Sequence, residues 1–331
     1  MIIEARAYAR AGFLGNPSDG YFGKTISVII RNFGARVSLY ETPELQIEPQ
    51  EQDRHVFRNI FDLVDSVELM GYYGGARLVK AAIKKFYEYC EDHDIRLENK
   101  NFTIRYFSTI PRQVGLAGSS AIVTATLRAL MQFYKVAIPL EQQPTLILAV
   151  ETEELGINAG LQDRVIQVYE GCVYMDFARE LMKTEHRGSY ERLNVKDLPK
   201  LYIAYKTELS KVSGAVFNDV RSRFKKGDRL VVETLDGIAQ CAEHGREAMK
   251  NHDYEKLDGL IDENFNLRKK IMNISESNLE LVQTARNCGA TAKFSGSGGA
   301  IIGTYTNDEM LTRLIIELKK IKARVIKPYI A

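Results

Sequence analysis

Pro111–Leu130, PRQVGLAGSSAIVTATLRAL, is the stretch on which the reading of the fold turns. Its middle, Gly115 to Ala121, is a run of small residues that lets the backbone approach another group closely. The text after it, AIVTATLRALMQFYK, is apolar on most faces of a helix, so that helix is expected to be buried. Ser119 and Ser120 stand at its mouth, where the first N–H groups lack helical partners and the helix dipole favours an anion. Spacing alone leaves two readings: a phosphate cradle without a Walker lysine, or a serine-capped helix after a tight turn.

A competing nucleotide loop lies upstream. Ser18–Thr25, SDGYFGKT, ends in the Gly-Lys-Thr of a P-loop. A P-loop also needs a glycine where Ser18 stands and a helix after the loop. Here Thr25 leads into ISVII, β-branched and apolar, which reads as a strand. The stretch is therefore expected not to hold nucleotide.

Two further places carry chemistry. In Glu151–Asp163, ETEELGINAGLQD, Asp163 follows a turn containing Gly160, and one of Glu151, Glu153 or Glu154 projects from the preceding helix. Two carboxylates converging at a loop end suit magnesium, and an aspartate can accept a proton from an attacking hydroxyl. In Phe294–Ala300, FSGSGGA, glycines at 296, 298 and 299 between two strands permit close approach of a partner, though glycines also make plain hairpins.

Around these lie short strands and long helices. ISVII, ARVSLY and FTIRYF read as strands, GARLVKAAIKKFYEYCEDH as an amphipathic helix, and LILAVETEEL as a helix. GINAGLQDR reads as a loop, and VIQVYEGCVYMDF as a strand pair. The polar stretch from Ala178 to Lys200 reads as a domain connection. After it come the strand LYIAY, charged helices over about residues 229 to 287, two strands around the glycine turn, a helix NDEMLTRLIIELKKI and a last strand ARVIKPYI. Strands and helices in this order predict α+β in both halves, without regular βαβ alternation.

Composition narrows the partners. A net charge of +2 over 331 residues gives no bulk attraction to nucleic acid or an anionic membrane. The four cysteines are far apart without C-x-x-C, so neither zinc nor disulfides are indicated, and a reducing cytoplasm is the expected compartment. The N-terminal text does not read as a signal peptide, and no run of about 18 apolar residues is present.

GNPSD near the N-terminus, the central GLAGSSA and the late SGSGGA together, in that order, resemble the three motifs of the GHMP kinases. Within them the text is most similar to glucuronokinase, on ARAGFLGNPSDGYFGKTIS, GYYGGARL, IPRQVGLAGSSAIV and LGINAGLQDRVIQVYEG. The inserted Ala117 departs from the usual G-L-G-S-S-A and matches the glucuronokinase version. The resemblance implies a two-domain fold: a ribosomal protein S5 domain 2-like N-terminal domain over 1–190 and a ferredoxin-like C-terminal domain over 191–331, with ATP and substrate in the cleft between them.

It also implies roles. Pro111 and Gly115, Leu116, Ala117, Gly118, Ser119, Ser120 and Ala121 would wrap the ATP phosphates, with Ser120 and Glu151 on Mg2+ and Glu154 as the alternative glutamate. Asp163 falls at the catalytic aspartate, twelve residues after Glu151, as in galactokinases; Arg164 replaces the glutamine that follows it there. Arg10 matches an arginine beside that aspartate. Asp19 matches a sugar contact, and Gly296, Ser297 and Gly298 are expected at the substrate. The activity implied is an ATP-dependent sugar-1-kinase acting on D-glucuronate, with Lys24, Arg112 or Arg164 pairing its carboxylate. Galacturonate, galactose, fucose or a heptose are alternative substrates, and a non-catalytic sugar and ATP sensor is an alternative role. Tyr72 and Tyr73 are candidates for the base pocket, and a homodimer is one assembly open to such a chain.

Overall fold

The computed structural model describes residues 2–48, 74–207 and 215–331, with side chains in the last stretch from 219 onward. Tyr72 and Tyr73 lie outside the described residues. The chain forms two compact units, each assembled from separate stretches. The first is Met1–Ala9, Phe33–Ile110 and Ala117–Val168; the second is Arg10–Asn32, Pro111–Leu116 and Tyr169–Ala331. Strands β1 (Ile2–Leu14) and β2 (Lys24–Thr42) each contribute residues to both units.

In the first unit, β1 alternates strictly, with Ile3, Ala5 and Ala7 buried and Glu4 and Arg6 exposed, the period-2 pattern of a half-buried strand. The later part of β2 pairs antiparallel with β4 (Asn101–Ser108), from Ala35 opposite Ser108 to Thr42 opposite Asn101; β3 (Gln46–Glu48) adds to β4 in parallel. ISVII and ARVSLY, expected as separate strands, are thus one continuous strand. Helix α1 (Gly75–Asp92) and helix α2 (Gly118–Tyr134) form as expected, and Phe102 meets Phe133 edge to face at 5.4 Å. LILAVETEEL splits into α3 (Gln143–Ala149) and one π-helical turn, Val150–Glu154. The expected first strand of VIQVYEGCVYMDF is instead helix α4 (Gln162–Tyr169). Its Val165, Ile166 and Val168 are buried, so tertiary burial overrides the β preference of branched side chains.

In the second unit, the early part of β2 pairs with β5 (Cys172–Asp176), Lys24 opposite Asp176. The polar stretch expected to be a connection carries α5 (Arg179–Thr184) and β6 (Ser189–Leu193), and β6 pairs along β5. Next come β7 (Leu201–Lys206), α6 (Ala215–Lys225), α7 (Arg229–Lys250), α8 (Tyr254–Ile271), α9 (Glu276–Asn287), β8 (Lys293–Phe294), β9 (Ala300–Thr304), α10 (Asp308–Lys320) and β10 (Ala323–Ile326). The strands form an antiparallel sheet ordered β10-β7-β9-β8, the split βαβ order of a ferredoxin-like unit. Asp228, Asp253 and Asn307 cap α7, α8 and α10 through backbone N–H groups three residues on. Tyr202, Phe265, Leu281, Phe294 and Leu314 share its core. Among the described residues, no helix is long and apolar enough to cross a membrane.

Candidate active site

In the first unit the small-residue loop runs into α2 through Ala117, which is left-handed at φ 60° and ψ 47°. That conformation turns the chain so that α2 starts at Gly118, and the Ala117 carbonyl accepts from Gln167 Nε2 at 2.9 Å. The Ser119 hydroxyl donates to Glu151 Oε1 at 2.7 Å. Ser120 turns its hydroxyl inward to the Ala117 carbonyl at 3.3 Å. Of the two serines, Ser119 is thus the one brought to the glutamate.

Glu151 sits on the π-helical turn and is fully buried, a position such turns often give to functional groups. Its other oxygen takes a bond from the Arg164 guanidinium. Arg164 also bonds the Gly160 carbonyl at 2.9 Å and lies 3.6 Å from Asp163 Oδ2. Asp163 is in the first turn of α4, partly exposed, with Arg164 next to it along the chain. One arginine therefore stands between two carboxylates. Glu154 takes the other course, pairing with Lys84 at 2.7 Å and Lys85 at 3.4 Å, and Glu153 pairs with Lys85 at 2.8 Å. The Ser119 hydroxyl and the Glu151 carboxylate are hard oxygen donors at the start of a helix. In kind they fit magnesium, which takes one or two protein oxygens and completes its shell with phosphates and water.

In the second unit Arg10 donates to the Gly115 carbonyl at 2.6 Å and to the Ser295 carbonyl at 3.1 Å. Gly115 has φ 70°, and a Cβ on it would come within 2.9 Å of the Gly298 oxygen and the Ser297 nitrogen. A Cβ on Gly296 would overlap the Gly115 carbonyl. The glycines at 115 and 296 are therefore demanded by backbone-to-backbone packing of the loop start on the β8–β9 turn, and Gly298 by its φ of 135°. Pro111 is half-buried at the loop's beginning; Leu116 and Ala121 are buried. Asn278 on α9 accepts from the Gly299 N–H at 2.9 Å and so holds the turn.

Beneath that turn lie two more buried cations. Lys293 donates to the carbonyls of Gly12 at 2.8 Å and Phe294 at 2.9 Å and to the Asn16 side chain. Burial pushes its ammonium well below the usual lysine range, and Arg268 and Arg10 push the same way. Arg268 on α8 donates to the Gly296 carbonyl at 2.9 Å, and burial lowers it to about 10. Asp19 and Tyr21, on the short turn Ser18–Tyr21, interact electrostatically with it.

Gly-Lys-Thr opens β2, with Thr25 buried in the strand, so the P-loop resemblance of these residues ends at the letters. Lys24 donates to Glu243 at 2.7 Å and lies 3.8 Å from Asp176. The structure brings Ser119, Glu151, Asp163 and Arg164 together in the first unit, and Arg10 and Gly115 together with the turn 296–298 in the second, whereas sequence reading set Arg10 beside Asp163 and Gly115 with Ser119 and Ser120. Sequence reading missed Gln167, Asn278, Lys293 and Arg268. The helix text NLRKKI gives no sign that Arg268 turns inward while Lys269 and Lys270 stay exposed.

Residues 77–171 match the family model described as the GHMP kinases N terminal domain. Over 306 residues the chain is 44% identical to Glucuronokinase 1 of Arabidopsis thaliana, covering 91% of this chain and 84% of that protein. Among solved structures, the mevalonate kinase of Methanococcus jannaschii superposes with a TM-score of 0.71 at 22% identity, over 100% of this chain and 98% of that one. The galactokinase of Lactococcus lactis, crystallised with galactose, gives 0.76 at 15% identity, over 99% and 93%. The fold is that of the GHMP kinases. The chain belongs to that superfamily and, within it, to the glucuronokinase family. It is a phosphotransferase with an alcohol group as acceptor.

Proposed function

We propose that the protein is an ATP- and magnesium-dependent sugar-1-kinase that phosphorylates the anomeric hydroxyl of D-glucuronate, giving glucuronate 1-phosphate. The observation that carries this reading is the set of contacts from Ser119 through Glu151 and Arg164 to Asp163. Phosphoryl transfer asks the protein mainly for alignment and charge neutralisation. Gly115 to Ala121, with the N-terminus of α2, receives the phosphates. Ser119 and Glu151 hold the magnesium, with Ser120 the second hydroxyl of that helix start; the ion when bound neutralises phosphate charge. Asp163 accepts the proton of the attacking sugar hydroxyl, and Arg164 fixes its place. Arg10 stabilises the transferring group, and Asp19, with the turn 296–298, contacts the sugar. Residues 1–190 and 191–331 serve as the two functional domains, and the enzyme acts in the cytoplasm.

An ADP-release assay on wild type and Asp163→Asn tests the reading. The wild type is expected to turn over glucuronate faster than galacturonate, galactose, fucose or a heptose. Asp163→Asn should lose about 100- to 10,000-fold in kcat with little change in Tm. Equal rates in the two proteins would remove the catalytic role. Faster turnover of a neutral sugar would remove the substrate.

A further inference from the structure

The turn Ser18–Tyr21 stands among cations, and most of them are already engaged. Lys24 is paired by Glu243 and Asp176. Arg268 is 3% exposed, bonded to Gly296 and facing Asp19. Arg179 lies 4.5 Å over the ring of Phe22.

Arg221 differs from all of these. It is exposed, and among the described residues it forms no ion pair with a carboxylate. Its charge acts on the hydroxyl of Tyr21, the same group on which Asp19 and Arg268 act. Packing fixes its place: Val220 is fully buried in one cluster with Tyr21, and Phe224 meets Tyr21 edge to face at 4.9 Å. Residues three apart share a helix face, so the face of α6 that seats Phe224 on Tyr21 also delivers Arg221 beside it.

We propose that Arg221 is the specificity residue that recognises the carboxylate of a uronic acid sugar, beside Tyr21. The proposal rests on the sugar-1-kinase reading above. A planar guanidinium offers two parallel N–H donors to a carboxylate and leaves them in water when a neutral sugar carries CH2OH there. Lys24, Arg112 and Arg164 are weaker choices. Carboxylates engage Lys24 and Arg164, and Arg112 belongs to the loop assigned to phosphate.

The experiment is steady-state kinetics with glucuronate and with glucose, which differ only at that group. Arg221→Met should raise KM for glucuronate about 10- to 100-fold, leave kcat within a few-fold and leave glucose kinetics unchanged. Arg221→Lys should recover part of the loss, and Arg179→Met should behave as wild type. The proposal is overturned if Arg221→Met keeps the wild-type preference for glucuronate over glucose, or if KM rises equally for both sugars. If the wild type prefers glucuronate and the variant keeps that preference, only Arg221 loses its role. If the wild type turns over glucose and no uronate, the substrate reading falls as well.

Discussion

The two units bury their cations in opposite ways. In the first, Arg164 lies between Glu151 and Asp163, so one positive charge meets two negative ones and the place is net negative. In the second, Arg10, Lys293 and Arg268 are buried against the oxygens of Gly115, Ser295, Gly12, Phe294 and Gly296, and the Asp19 carboxylate acts on Arg268. Carbonyl dipoles satisfy N–H donors without cancelling a unit charge, so among the described residues this place carries more positive than negative charge, and burial pushes Lys293 and Arg268 toward losing protons. A net negative spot suits a metal ion and a proton in transit. A net positive one suits phosphate oxygens.

The sharpest test of the contrast removes the arginine of the first unit. Arg164→Met leaves the Glu151 carboxylate buried without its guanidinium, which costs about 3 to 5 kcal/mol and should lower Tm markedly. The double variant Arg164→Met with Glu151→Met replaces the pair by apolar groups of similar length and should recover most of that stability while staying inactive. A single variant as stable as the wild type would mean that Ser119 alone satisfies Glu151, and the pairing would lose its structural weight.

Lys293 tests the other side. Its folded-state pKa is depressed below the usual 10.5, so the fold disfavours the ammonium relative to the unfolded chain. Below the folded value both states carry the proton and the penalty is fully present. Between that value and 10.5 the unfolded chain binds more protons, so stability rises with pH. Comparing Tm of wild type and Lys293→Met from pH 7 to pH 10, the wild type should gain on the variant as pH rises. Parallel curves would show that three oxygen acceptors hold the ammonium as firmly as a carboxylate would, and the contrast between the units would weaken.

Much of this was legible in the letters, for identifiable reasons. Helix α2 could be read because small residues give way abruptly to apolar ones, and the β8–β9 turn because glycines at 296, 298 and 299 interrupt two apolar runs. Strand β1 was not read, although Ile3, Ala5 and Ala7 alternate with Glu4 and Arg6, because alanine rarely signals a strand. Helix α4 was not, because VIQV spells a strand until burial decides otherwise. At the site, Asp163 and Glu151 came from the resemblance to the GHMP kinases, because the carboxylates by themselves left Glu151, Glu153 and Glu154 open. Arg268, Lys293 and Asn278 arrive from distant parts of the chain, and nothing local distinguishes an inward arginine from its solvated neighbours.

The smallest expected effect concerns the junction itself, Ala117, an L-residue held left-handed where the first glycines end and α2 begins. That conformation costs roughly 1 to 2 kcal/mol in alanine and little in glycine, whereas glycine adds freedom to the unfolded chain worth about 0.5 to 1 kcal/mol. Ala117→Gly should therefore change stability by about 1 kcal/mol or less, in the stabilising direction. The same freedom loosens the turn that aims the Ser119 hydroxyl and the first N–H groups of α2, so KM for ATP should rise a few-fold with kcat for the sugar nearly unchanged. Thermal melts and nucleotide kinetics on the one variant separate the two effects. A loss of stability well beyond 1 kcal/mol would mean that the alanine methyl is needed for packing, and the turn would then be held by contacts and not by its backbone conformation.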